Sequence, residues 1–480
     1  MSEQPVHVNK ISWQALCPWT IIFRSLSAAT SIPVLILALL GLVAMPMGWI
    51  VAETIFIDQG LQSDQRMAEI IQYNRNPHKR VFLATNDEAN SVNILGARLS
   101  GPRMVFTQIV EPFTHLFSIP QYHVMDAGST ETTTRWSFRA FLYLLTGCVS
   151  TLLIWSFIGV AICRVALLKL TRNEPMDLDE AFEFALEKSV AVIGAVGIPL
   201  LAVAAMCVPA FFLGLIMGID LGVMLVGLLW FVVIALAAAM AILLAGLMFG
   251  WPLMVASVAC EGQNNFDAMT RAYAYTFQRP LNYVMYLLIA MVFGGFCWLV
   301  IANLTDGVLN LGYWSTSFGT ALVSGDDNRM DVVRSLTSPT TVDEKGNIIP
   351  TDPSTPLYAG QAMIRGWSWL ARSVAAAFIY GLFWCMASAI YLLLRKDVDD
   401  TEMDEISVVN QQRTYELPPL KTDENGIPQV QTPTPKVEEE DEPEEEPEEK
   451  AEKKAKKKTK KKNKKKKSED KPKKKTKKKS

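Results

Sequence analysis

The sequence predicts an all-α fold: a polytopic transmembrane helix bundle of about six spans, followed by a disordered, charged C-terminal tail. Two observations carry that prediction. Half of the 480 residues are hydrophobic and only 20% are charged, giving a mean hydropathy of +0.19, above that of a soluble chain of this length. The apolar residues are also gathered into six charge-free runs long enough to cross a hydrocarbon layer about 30 Å thick, which takes about 20 residues of helix. Together these exclude an ordinary cytosolic enzyme.

In order, the runs are residues 33–52, 140–163, 189–219, 221–249, 281–304 and 373–394. The first is longer than a signal-peptide core and lacks a small-x-small exit, so it reads as a retained anchor. Ahead of it, in residues 1–32, Ile11, Trp13, Leu16, Trp19, Ile22 and Phe23 form an interfacial segment with Arg24 at headgroup level. Trp49, Trp136, Trp251, Tyr283 and Trp298 stand at or near span ends, where amphipathic rings prefer the membrane boundary. The stretch from 189 to 260 is almost continuous, interrupted by Pro199, Pro209, Asp220 and the Gly250-Trp251-Pro252 stop, so the count there can shift by one.

Orientation follows from the bases that flank the short loops. Arg164, Lys169, Arg172 and Lys188 occupy loop 164–188, Arg271 and Arg279 loop 250–280, and Arg395 and Lys396 follow the last span, whereas the turn at Asp220 has none. This places both termini in the cytoplasm, with loops 53–139 and 305–372 on the other side.

Each of the two short loops carries an amphipathic helix. In the first, Pro175 precedes Asp177 and Glu180, a capping-box-like start, and Leu178, Ala181, Phe182, Ala185 and Leu186 share a face. In the second, Asn265 caps a helix whose interfacial face is Phe266, Met269, Tyr273 and Phe277; Asp267 and Arg271 pair at i,i+4, and Pro280 ends it. Span, surface helix, span thus occurs twice, as a loose internal repeat or as ordinary juxtamembrane helices.

Pro252, Glu261-Gly262 and the run Phe266-Asp267-Ala268-Met269-Thr270-Arg271-Ala272-Tyr273 resemble the pattern in bacterial polytopic membrane domains of uncharacterised function. These include the membrane domain attached to some glycerophosphodiester phosphodiesterases. Pro18-Trp19-Thr20-Ile21-Ile22-Phe23-Arg24 and Gly48-Trp49 resemble a group of large bacterial membrane proteins. The resemblance covers the membrane region alone and implies a bacterial inner-membrane protein; no phosphodiesterase catalytic domain has a counterpart here.

The remaining segments are polar. His78, His115 and His123 lie in the first long loop with Glu111 and Asp126, in a spacing that matches no ligand motif, so no metal site is expected. Residues 325–331 have calcium-type oxygens without the alternating spacing or central glycine, and read as a solvated loop. The motifs 343–347 and 350–353 read as turns. Six of seven cysteines lie in or beside apolar runs and no C-x-x-C occurs, which points to neither disulfides nor zinc.

Residues 395–480 read as a disordered cytoplasmic tail. Residues 438–449 hold ten acids and no base, and Lys450 to Ser480 hold twenty lysines against three acids, so the formal net charge of −2 conceals two opposed blocks. The lysines can meet anionic lipid, nucleic acid or the ribosome; having neither arginine nor aromatics, they would do so electrostatically. A solubilising role without a fixed partner is the alternative.

Function is bounded by elimination. No P-loop, G-x-S-x-G, H-E-x-x-H or glycine-rich dinucleotide turn is present, so an enzyme is not expected, nor any cofactor. The spans contain no Asp, Glu, Lys, Arg or His of the kind that lines ion-coupled pathways. The expectation is therefore a membrane-embedded binding or organising component. The alternative is a permease or the membrane subunit of a transport system, with Pro199 and Pro209 as helix breaks.

Overall fold

The computed structural model describes residues 17–58, 65–75, 101–117, 121–125, 132–324, 333, 340–342, 348–350 and 354–406. Among these residues are eleven α-helices. A 3₁₀ turn, Pro18–Thr20, leads into α1 (Ile21–Ala29), and α2 (Ile32–Phe56) makes the first crossing. The first long loop holds α3 (Gln65–Arg75), α4 (Gly101–Phe117) and an antiparallel hairpin of β1 (Gln121–Met125) and β2 (Thr132–Trp136), registered Gln121 to Trp136. Then come α5 (Phe138–Thr171), α6 (Leu178–Ile216), α7 (Asp220–Leu228), α8 (Trp230–Glu261), α9 (Asn265–Gln278) and α10 (Pro280–Ser324). A small hairpin of β3 (Thr340–Val342) and β4 (Ile348–Pro350) precedes α11 (Pro356–Asp399).

Six helices, α2, α5, α6, α8, α10 and α11, are long and apolar enough to cross a membrane. The chain is a polytopic membrane protein. An even number of crossings leaves the start of α2 and the end of α11 on one face, called here the terminal face.

The crossings differ in how far they are buried. The most apolar 18-residue window of α11 is 94% buried, against 6% for that of α8, so α11 is the axis of the bundle, while α8 is exposed over that window and buried from Pro252 to Cys260. Hydrocarbon gives no hydrophobic drive between spans, so close packing at small residues holds them together. Gly147 of α5 meets the Trp49 indole of α2 so closely that a Cβ there would lie 2.0 Å from the ring. Gly41 seats Trp155 and Ile158, and Gly159 seats Trp384 of α11. Trp155 stacks on Tyr380 at 5.1 Å and 8°, while the Trp49 Nε1–H donates to Thr151 Oγ1 at 3.2 Å.

The first long loop departs from the expected external cap. α4 packs against α5, α10 and α11, with Val105 and Ile109 buried. Gly101 abuts Trp298, Phe106 lies beside Trp251, and the Tyr380 hydroxyl bonds the Gln108 side-chain oxygen. Its partners belong to the apolar crossings, so α4 is a short helix inserted among them. Non-spanning backbone at that depth is tolerated where protein encloses it. α4 also carries Glu111 and His115, both half-buried, and an exposed Arg103.

Several boundaries also move. Residues 305–324 and 356–372, expected within a loop, continue α10 and α11 as helix. At 45 residues α10 extends about 67 Å at 1.5 Å per residue, well beyond the hydrocarbon thickness. Pro199 and Pro209 do not break the third span: α6 runs through both, since a membrane helix can re-satisfy the carbonyls a proline frees. The amphipathic segment after Asp177 is the first turns of α6, not a separate helix; Phe184 is buried with Ala181 and Ala185, while Leu186 is exposed. Ile22 is fully buried, so α1 packs into the bundle. The tail begins later than residue 395: α11 ends at Asp399, and of residues 400–406 Ile406 is buried and Thr401 and Met403 half-buried. Residues 1–16, 407–480, His78, Asp126 and the motifs 325–331 and 343–347 lie outside the described residues.

Candidate functional site

On the terminal face, three helices, α8, α9 and α11, converge on one carboxylate. Glu261 is the last residue of α8, which Gly262 closes in the left-handed conformation, φ 65°. The turn returns Gln263 beneath the helix, where its amide donates to Glu261 Oε2 at 2.6 Å and its oxygen accepts from Ser257 Oγ at 2.7 Å. Glu261 Oε1 receives Arg271 Nη1 from α9 at 2.7 Å and the Tyr391 hydroxyl from α11 at 2.9 Å. Arg395 Nε lies 3.0 Å from the same oxygen, an ion pair whose N–H is not aligned for a hydrogen bond.

The cluster then fastens the end of α11. Arg271 lies 3.7 Å from Asp399 Oδ2, which also accepts from the Tyr275 hydroxyl. Asp397 accepts from Asn282 at 3.2 Å and from Tyr286 at 2.8 Å, both on α10. Asp400 adopts φ 50° and ends the helix, a conformation aspartate tolerates better than most residues. The chain beyond it is held by Arg395 Nη1, which donates to the Glu405 carbonyl at 2.6 Å, and by Arg172, which reaches the carbonyls of Asp404 and Ile406 at 3.4 Å. Ile406 is buried. Residues 400–406 are thus clipped onto the bundle as the root of the tail.

The electrostatics match this geometry. Burial works against the charge on Arg271, but the Glu261 carboxylate together with the Tyr391 and Tyr275 hydroxyls outweighs it and raises the guanidinium pKa. Burial, with the Asp399 carboxylate beside it, pushes Tyr275 well above its usual value, and burial pushes Tyr273 up to about 12. Arg164 Nη1 donates to the Ala259 carbonyl at 3.0 Å and sits 4.6 Å over Phe184, a cation at the C-terminal end of α8 where the helix dipole favours one.

Of the residues singled out in the sequence, Arg271 belongs to this cluster, but its partner is Glu261 and not Asp267. The cap of α9 is Asn264 rather than Asn265. Phe266 and Phe277 are exposed, Met269 and Tyr273 half-buried, and the Tyr273 hydroxyl donates to the Leu243 carbonyl at 2.7 Å, so this face turns partly toward α8 and partly outward. His115 lies 3.8 Å from Glu111. Among the described residues, no group of three or more His, Cys, Asp or Glu is gathered as a metal site, and the seven cysteines form no disulfide.

Sequence reasoning missed Glu261 as a hub, together with Tyr391, Arg395 and Asp399. The available signal was a lone acid and a glycine closing a long apolar run, with an arginine at the end of another. No protein-family model, curated protein or solved structure matches the chain.

Proposed function

We propose that the chain is a non-enzymatic organising component of a bacterial inner membrane, with both termini in the cytoplasm, that holds a polybasic tail at the membrane face to engage anionic lipid. The observation that carries this reading is the clipped root of the tail. Arg172 and Arg395 hold residues 404–406 against the bundle, and twenty lysines follow in Lys450 to Ser480. Fixing the start of a charged segment beside a surface raises its effective concentration there, and each lysine near an anionic leaflet contributes about 1 kcal/mol. The bases flanking the short loops support the cytoplasmic orientation, and the resemblance to bacterial polytopic domains supports the membrane.

The test uses the full-length chain and a chain ending at residue 406, each in nanodiscs of zwitterionic lipid, floated with anionic vesicles across a salt series. The full chain should float at about 0.05 M salt and be released by about 0.5 M, as counterion screening requires, and the shortened chain should not float. Salt-independent flotation contradicts the proposal; competition by RNA or capture of a cytoplasmic protein in place of lipid would reassign the tail's partner.

The second reading, a permease, has a specific feature in its favour: α4, packed against the crossings, holds the half-buried Glu111 and His115 3.8 Å apart. Substrate uptake into sealed vesicles that is lost in Glu111→Gln would support it.

A further inference from the structure

Pro102, in the first turn of α4, seats against Gly294 of α10 and Met386 of α11: a Cβ on Gly294 would lie 2.6 Å from the Pro102 ring and 2.9 Å from the Met386 methyl. Gly294 and Met386 stand near the middle of the charge-free runs 281–304 and 373–394, so α4 starts deep in the hydrocarbon. Arg103 follows it. Its side chain is exposed and, among the described residues, has no hydrogen bond or ion pair. A guanidinium at that depth is costly and is kept where it meets a partner or lines a pathway. None of the described residues supplies the anion it needs.

An apolar groove of about 170 Å³ runs beside Arg103, with α11 as its floor and α8 and α10 as its walls. Met386 and Ile390 on the floor are buried, whereas Phe249 on α8 and Met291 on α10 are exposed. α8 and α10 each pack on α11 and scarcely on each other, so the groove opens outward, away from the axis, into the surrounding lipid. A cation beside an apolar, lipid-facing groove fits an anion that carries hydrocarbon. Volume selects among such molecules. At about 30 Å³ for a water-sized group the groove holds roughly six, enough for a few methylenes but not for a whole acyl chain or for the glycerol and second chain of a phospholipid. Depth selects too. The phosphates of the bilayer stay at headgroup level, about 15 Å from its centre and beyond the reach of a three-methylene arginine stem, whereas a single-chain acid can shift along the bilayer normal. We infer that Arg103 and the groove bind a free fatty acid, with its carboxylate on the guanidinium, its first methylenes in the groove and the rest of its chain in the lipid outside. This goes beyond the tail's role and stands independently of it.

The experiment reconstitutes the full-length chain in zwitterionic vesicles doped with a fatty acid that carries a photoreactive diazirine near its carboxyl end, and maps the labelled segments. The readout is labelling of segments 249–253 and 287–291 relative to segment 211–215, whose Phe211, Phe212 and Leu215 face outward. That ratio should fall when unlabelled palmitic acid is added and stay unchanged with its methyl ester, which has the chain but not the charge. Arg103→Gln should lower the site's affinity for the acid about ten- to hundredfold, the worth of a hydrogen bond to a charged group, and Arg103→Lys, which keeps the charge, should lose less. Equal ratios in the parent and Arg103→Gln would overturn the role of Arg103. A diazirine phosphatidylglycerol that labels these segments in place of the fatty acid would overturn the choice of ligand. Should the variants fail to fold, the competition on the unaltered chain decides: displacement by palmitic acid alone supports the site, and equal displacement by acid and ester, or by neither, rejects it.

Discussion

Glu261 shows how much of the terminal face depends on a single side chain. Its carboxylate is 15% exposed and opposes Arg395, which is 8% exposed, as well as Arg271. Removing one member of a buried ion pair leaves the other charge without compensation and costs about 3–5 kcal/mol. Glu261→Ala should therefore lower the stability of the reconstituted chain by about 3 kcal/mol in a denaturing-detergent titration. Glu261→Gln should lose less, because the amide oxygen still accepts from Tyr391. Equal losses would mean that packing, and not charge, is what Glu261 contributes. Tyr273 makes a second prediction. A phenol whose folded pKa is raised to about 12 from about 10 unfolded contributes stability that is complete below pH 10 and is lost as pH rises toward 12. The Tyr273-to-Leu243 hydrogen bond should thus persist through physiological pH, and Tyr273→Phe should remove that part of the alkaline destabilisation between pH 10 and 12.

At the scale of elements, glycine and tryptophan interlock the crossings. A Cβ on Gly147 would lie 2.0 Å from the Trp49 ring, so Gly147→Ala forces α2 and α5 apart and should cost about 1–3 kcal/mol by overpacking. In Gly147→Ala combined with Trp49→Phe the loss should be smaller than the sum of the single losses, since the two share one contact; additivity would show that they do not. The crossings were legible in the sequence because hydrocarbon demands long uncharged helices, a requirement any sequence must display. α4 was not. It is 17 residues long, contains Pro112, Arg103, Glu111 and His115, and by its own pattern reads as a surface helix. What draws it inward is the fit of Gly101 to Trp298 and of Gln108 to Tyr380, between residues separated by nearly two hundred positions or more. For the same reason the i,i+4 rule paired Arg271 with Asp267. Glu261 is ten residues away in sequence and is brought close only by the turn at Gly262.

For the whole molecule, the arrangement divides labour between the axis and the edge. α11, buried along its apolar length, carries at its end the residues that fix the tail's root, while α6 and α8 carry much of the surface that faces lipid. Six crossings require that the ends of α5 and α11 lie on one side, and that the far ends of α10 and α11 lie on the other. The direct measurement is labelling of single cysteines, in a chain otherwise free of cysteine, by a membrane-impermeant maleimide in intact cells and in inverted vesicles. Asn173→Cys and Glu402→Cys should label only in inverted vesicles, and Ser354→Cys only in intact cells; labelling of Asn173→Cys and Glu402→Cys from opposite sides would contradict six crossings.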